Sequence, residues 1–295
     1  MRRKADASYI SFHVVGYLLV TVVAICCLAP FLLILSASFT SESSILRHGY
    51  ALIPKVFSLD AYQIIFRYPT DTLRAYGISI LVTLCGTVTG LFFTSMAAYV
   101  TNRKDFKYRK AFTFYFFFTT LFNGGMVATY IMMIRYYHLK DNLLALILPN
   151  LINVFYIIVM RSFMSTLPDS ISESAKIDGA GDFKIFARII LPLTKPALAT
   201  IGLFLALDYW NDWYNTMLYI SNSKLYPLQY MLYNMLSQVD AMSRLSAQAN
   251  ISAQNMPTDS LRMAMTIIAI GPMILLYPFI QKYFVRGITL GSVKG

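Results

Sequence analysis

The chain has 295 residues, 57% of them hydrophobic and only 13% charged, whereas soluble domains carry about 25% charged residues. That balance excludes an ordinary soluble domain. The net charge of +11 points to membrane topology before it suggests nucleic acid, and no nucleic-acid partner is expected.

Stretches of 18 or more residues without fixed charge read as membrane spans. Five such stretches and a sixth interrupted by Asp208 and Asp212 give six expected spans, at about 12–39, 73–100, 111–134, 142–161, 197–220 and 262–284. The fold class is therefore all-α, with residues 1–295 forming one polytopic membrane domain and surrounding lipid as a partner. The first span follows a basic start, Arg2-Arg-Lys4, as a signal peptide would. It is too long for a signal core and lacks a small-residue cleavage site, so a retained helix is expected. Cys26, Cys27 and Cys85 have no metal or disulfide spacing and are expected to be small packing residues.

An external loop is expected over 40–72. The second span then leads into a basic loop holding Arg103, Lys104, Lys107, Arg109 and Lys110. In span three, Asn123-Gly-Gly125 permits close helix contact or local unwinding. Asn150 and Asn153 share a face of span four and are expected to bond between helices. A cytoplasmic segment over 162–195 follows. In it Ser170-Ile-Ser-Glu173 fits a capping box. A short helix over 171–178 is expected to stop at Gly179 in a left-handed turn, with Asp182 capping a second helix and Pro192 breaking the chain. After span five, a polar external loop is expected over 221–261, and Gly271-Pro272 should kink the last span.

Lys and Arg set the orientation, because cytoplasmic loops collect them. The side holding both termini, the basic loop and the 162–195 segment carries 16 of the 25 basic residues. Both termini and that segment are therefore expected in the cytoplasm.

In span five, Asp208, Asn211, Asp212 and Asn215 fall at i, i+3, i+4 and i+7, which places them on one face of a continuous helix. Tyr209, Trp210, Trp213 and Tyr214 interleave with them. Ionisable groups near the bilayer midplane usually face a water-filled path or a partner. Aromatic rings beside hydrogen-bonding groups suit a sugar, so Asp208, Tyr209, Trp210, Asn211, Asp212, Trp213 and Asn215 are candidate path residues. The blander reading is an aromatic belt at the membrane boundary. The sequence has no G-x4-G-K-[ST] loop, no G-x-S-x-G, no zinc spacing and three scattered histidines. No enzyme activity and no cofactor are expected in this chain.

Glu173, Ala175, Gly179, Ile189, Leu191 and Pro192 follow E-x-A-x3-G-x9-I-x-L-P, with Ser174 where Ala is common. This pattern resembles the signature of the membrane subunits of bacterial ABC importers, in the sugar-importing branch typified by maltose permease. The resemblance implies a type I permease fold whose coupling helix docks an ATPase through Glu173, Ser174, Ala175, Asp178, Gly179, Ala180 and Pro192. It also implies a second homologous permease, an ATPase dimer holding ATP and Mg, an extracytoplasmic binding protein and a bacterial inner-membrane location. Tyr226-Pro-Leu-Gln229 and the ending 282–295 resemble a branch handling uronic-acid oligosaccharides such as alginate fragments. In the family, the loop corresponding to 236–259 reaches the binding protein, and the tail touches the ATPases. An ion-coupled secondary transporter, with Asp208 or Asp212 holding the ion, is the alternative.

Overall fold

The computed structural model describes residues 7–122, 124–248 and 258–292. The expectations for Arg2, Arg3, Lys4, Asn123, Lys294 and most of the 249–259 stretch lie outside them. Among the described residues all regular elements are helical, and one isolated bridge pairs Thr40 with Phe57. The chain divides into two compact units, Met1–Pro69 with Asn234–Gly271, and Thr70–Tyr233 with Pro272–Gly295.

In the first unit, α1 (Ala7–Ser38) contains an apolar run, Phe12–Ser38, with no buried residue over its most hydrophobic window. At ~1.5 Å per residue its 27 residues exceed the ~30 Å hydrocarbon layer. Cys26 and Cys27 are exposed on it, as Cys85 is elsewhere, so the cysteines do not pack in the interior as expected. The expected loop over 40–72 is partly helical: α2 (Glu42–His48) and α3 (Asp60–Ile65) flank the bridge. Phe39 organises it, stacking on Phe57 and Tyr62 at 5.7 and 5.1 Å.

Glu42 ties this region to the start of the last helix. Its carboxylate is buried and accepts from Thr258 Oγ1, the Asp259 and Ser260 N–H groups and Ser260 Oγ, at 2.8–3.1 Å. Those donors open α15 (Asp259–Ser292), whose first-turn N–H groups have no partner within the helix. Burial alone would raise the Glu42 pKa, but the hydrogen bonds outweigh it and hold the group below its usual value.

The second unit is built on α4 (Pro69–Asn102), whose 34 residues extend ~51 Å. Its partner is α12 (Lys195–Trp210). A Cβ on Gly86 would lie 2.5 Å from the Tyr209 ring, and one on Gly90 would lie 3.3 Å from Leu205. The G-x3-G spacing thus lets two helices approach where lipid offers no hydrophobic drive and packing must hold them. Tyr209 completes the contact by donating its hydroxyl to the Ile147 carbonyl at 2.9 Å.

The remaining expected spans are interrupted helices. Span three runs as α5 (Arg109–Leu121) and α6 (Gly125–Ile131), extended by a π-helical turn to Tyr136. Gly125 restarts it with φ +81°. Span four consists of α7 (Leu144–Ile147), a 3-10 turn through Pro149, and α8 (Val154–Met164), bent by 54°. Asn153 caps α8 by accepting from the Phe155 N–H at 2.9 Å, so it does not share a helical face with Asn150. Span five stops at Trp210 and resumes as α13 (Tyr214–Tyr219). The expected external loop 221–261 contains α14 (Leu228–Gln248), 21 residues long. Leu228 and Leu232 are buried on it, and its start is pinned by the Leu228 N–H donating to Ser79 Oγ at 2.8 Å.

Candidate functional site

The first candidate element is α9 (Asp169–Ile177), in the segment between spans four and five. It begins after Pro168 without a side-chain cap, and Ser170 and Glu173 both lie inside the helix. The expected capping box is therefore absent: Pro168 supplies the start and displaces the cap by two residues. The stop is as expected. Gly179 has φ +76°, its N–H donates to the Lys176 carbonyl at 3.0 Å, and the Ala180 N–H donates to the Ala175 carbonyl at 2.9 Å. These are the two bonds of a Schellman motif, with Ala175 and Ala180 as the apolar pair that accompanies it. Ala175 is buried and Ala180 packs against the same core. The small residues of the sequence pattern thus build the turn.

Glu173, Ser174, Asp178, Gly179 and Pro192 are exposed. Glu173 lines a cavity of about 200 Å³ shared with Arg103, Lys104 and Lys176. Asp182 is the first residue of α10 (Asp182–Ile185), not its cap, which is Gly181. Its carboxylate turns to Arg103 Nη1 at 2.6 Å. Two apolar side chains that the sequence reading did not single out stand outward on either side of the turn. Ile177 is 87% exposed and Phe183 64%.

The basic loop after α4 grips this segment. Arg103 forks onto Asp105 at 2.5 and 2.9 Å, Lys176 reaches Asp105 at 2.7 Å, and Lys104 reaches Asp169 at 2.6 Å. The Arg103 fork and Lys176 hold Asp105 far below the ordinary carboxylate range. Exposed pairs contribute only ~0–1 kcal/mol each. Their joint effect is to fix the direction of α9.

The second candidate cluster surrounds the interruption of span five. Asp208 is exposed, ~20 Å along α12 from Lys195, and accepts from the Tyr156 hydroxyl of α8 at 2.7 Å. Tyr156 was not legible as a site residue, since it sits in an apolar run. Asn211 is exposed and accepts from Gln229 Nε2 at 3.2 Å. Asp212 lies in the break. It accepts from the Asn215 N–H at 3.1 Å, Asn215 Nδ2 at 2.6 Å and Asn150 Nδ2 at 3.1 Å.

The four polar residues therefore do not share one continuous helical face. The Asp212 side chain takes a backbone N–H three residues on, which competes with helix continuation. Tyr209 and Trp210 are buried in the protein's own interior, whereas Trp213 and Tyr214 are exposed. Trp213 stacks on Tyr233 of α14 at 4.4 Å. Among the described residues no group of three His, Cys, Asp or Glu side chains is arranged to hold a metal.

The family described as binding-protein-dependent transport system inner membrane component matches residues 90–290. Protein LplC of Bacillus subtilis is 41% identical over 268 residues, covering 90% of this chain and 89% of the relative. The polygalacturonan/rhamnogalacturonan transport system permease protein YtcP of the same organism is 40% identical, covering 95% and 96%. A crystal structure of a bacterial ABC transporter involved in import of the acidic polysaccharide alginate superposes with a TM-score of 0.78, at 28% identity, covering 95% of this chain and 99% of that one.

Proposed function

Because the chain belongs to the family of binding-protein-dependent transport system inner membrane components, we propose that it forms half of the translocation path of an ATP-driven oligosaccharide importer. It is a permease component of a sugar transporter with the ABC-importer fold. The finer reading assigns it six crossings with cytoplasmic termini in a bacterial inner membrane, and a second homologous permease as its partner. An ATPase dimer would use ATP and Mg on the cytoplasmic face, with a binding protein delivering sugar outside. Uronic-acid oligosaccharides are the favoured cargo. YtcP is named for polygalacturonan and rhamnogalacturonan, and the structural neighbour for acidic alginate.

The observation that carries the ATPase reading is apolar exposure on a charged projection. Ile177 and Phe183 flank the Gly179 turn, among Lys176, Asp178, Asp182 and Lys184. So many charges keep the turn out of hydrocarbon, and the exposed apolar pair fits a protein groove. Glu173, Ser174 and Asp178 would meet the groove's polar rim. Asp208 and Asn211 would face the path, because an exposed carboxylate in lipid costs ~2.5–3.5 kcal/mol or more.

The test is co-expression of this chain with its neighbouring transporter subunits. Ile177→Asp should strip the ATPase from the purified complex while the permease pair stays together. Full ATPase recovery and full uptake in that variant would remove the docking assignment.

A further inference from the structure

Resting on the importer reading, we propose that the break between α12 and α13 carries a stacking subsite for one pyranose ring, built on the Trp213 indole. Four aromatic rings support that indole as a column. Tyr226 meets Tyr230 edge-on at 4.7 Å, Tyr230 lies over Tyr233 at 6.2 Å, and Tyr233 stacks on Trp213 at 4.4 Å and 22°. Tyr214 stands perpendicular beside the indole at 6.0 Å and 88°. Although Tyr233 covers one indole face, Trp213 keeps 37% of its surface exposed. Trp210, three residues earlier, is 3% exposed.

The polar groups a sugar needs lie in the same stretch. The Asp212 carboxylate is held in place by Asn150 and Asn215, both of which bond Oδ2, and Oδ1, which accepts only the Asn215 N–H, keeps capacity for one sugar hydroxyl. Asn211 uses its oxygen on Gln229, which leaves its NH2 group as a donor. Trp213 is thus oriented by its neighbours before any ligand arrives, so little side-chain freedom is lost on binding. The only ionised group in this set is an acid. The ring taken here presents an uncharged C–H face and hydroxyls, and a uronate's carboxylate points away from it. A membrane belt of Trp and Tyr needs neither the column nor the oriented carboxylate beside it.

The experiment uses the assembled transporter in nanodiscs, labelled with 5-fluorotryptophan, with trigalacturonate and maltotriose as probes. Trp213→Phe assigns the Trp213 fluorine signal by its loss. The sugar that stimulates ATP hydrolysis should shift the Trp213 signal saturably and leave the Trp210 signal in place. Trp213→Ala should lower uptake about tenfold, as loss of one good aromatic contact implies, with ATPase recovery unchanged. Trp213→Phe should restore most of it. Stimulated ATP hydrolysis with an unmoved Trp213 signal and normal uptake in Trp213→Ala would overturn the subsite and leave a headgroup anchor. A complex that hydrolyses ATP indifferently to every sugar on a broad panel would overturn the importer reading, and the subsite with it.

Discussion

A carboxylate in the middle of a membrane span persists only where something polar meets it. Asp208 meets the hydroxyl of Tyr156, which is itself buried. Removing the acid therefore leaves that hydroxyl without its acceptor, at a cost of ~1–3 kcal/mol. Asp208→Ala should lower the melting temperature of the purified complex and impair uptake, while Asp208→Asn, which keeps an acceptor, should retain most of the stability. A double-mutant cycle with Tyr156→Phe checks this: additive losses would mean that the two side chains do not interact. Gly86 makes a separate prediction, because its missing side chain is where the Tyr209 ring lies. Gly86→Val should destabilise the α4–α12 contact by ~1–3 kcal/mol through overpacking, read as a lower melting temperature in detergent. Asp208 was legible because charge is rare in apolar sequence. Tyr156 was not, since a lone tyrosine in a span carries no signal until the opposing helix is known, and the Gly86–Gly90 spacing marks a close helix contact without showing that the Tyr209 ring fills it.

At the scale of elements, the sequence told most where backbone chemistry is local. The Gly179 turn was readable because only a left-handed residue closes that helix, and Ala175 and Ala180 follow from the same motif. Continuity was harder to read. Spans four and five look continuous in hydropathy, yet Pro149 with Asn153, and Asp212 each divert the backbone, whereas the break in span three falls at Gly125, where the glycine pair permits local unwinding. The helix α14 reads as a loop in sequence because Ser, Gln and Asn mask its periodic Leu228, Leu232 and Leu236. The clasp made by Glu42 on α15 was also invisible, as its partners are over 200 positions away. Its folded pKa is lowered from 4.5. Its contribution is therefore complete above the ordinary carboxylate range and is lost as pH falls through the lowered value. Glu42→Gln should destabilise the protein at neutral pH by ~1–3 kcal/mol, and the gap to wild type should close on acidification. A gap that stays constant with pH would assign the clasp to shape and not to charge.

For the whole chain, function depends on which side of the membrane each end of the second unit occupies. The distance along α4 from Ser79, which anchors α14, to its end near Arg103, which grips α9, is ~36 Å. That exceeds the ~30 Å hydrocarbon layer, so the two anchoring points fit opposite surfaces. On the importer reading, the excess of Lys and Arg would put the Arg103 end in the cytoplasm, and the contacts of Arg103, Lys104 and Asp105 with α9 and α10 hold the Gly179 turn at the same end. In a variant whose three native cysteines are replaced, Lys107→Cys should resist an impermeant thiol reagent in intact cells and react after permeabilisation. Ser223→Cys, on an exposed turn before α14, should react in both. The reverse pattern would place the Gly179 turn outside, where no ATPase could reach it. Docking, coupling and the direction of transport would then all need another explanation, because each depends on α9 facing the compartment that holds ATP.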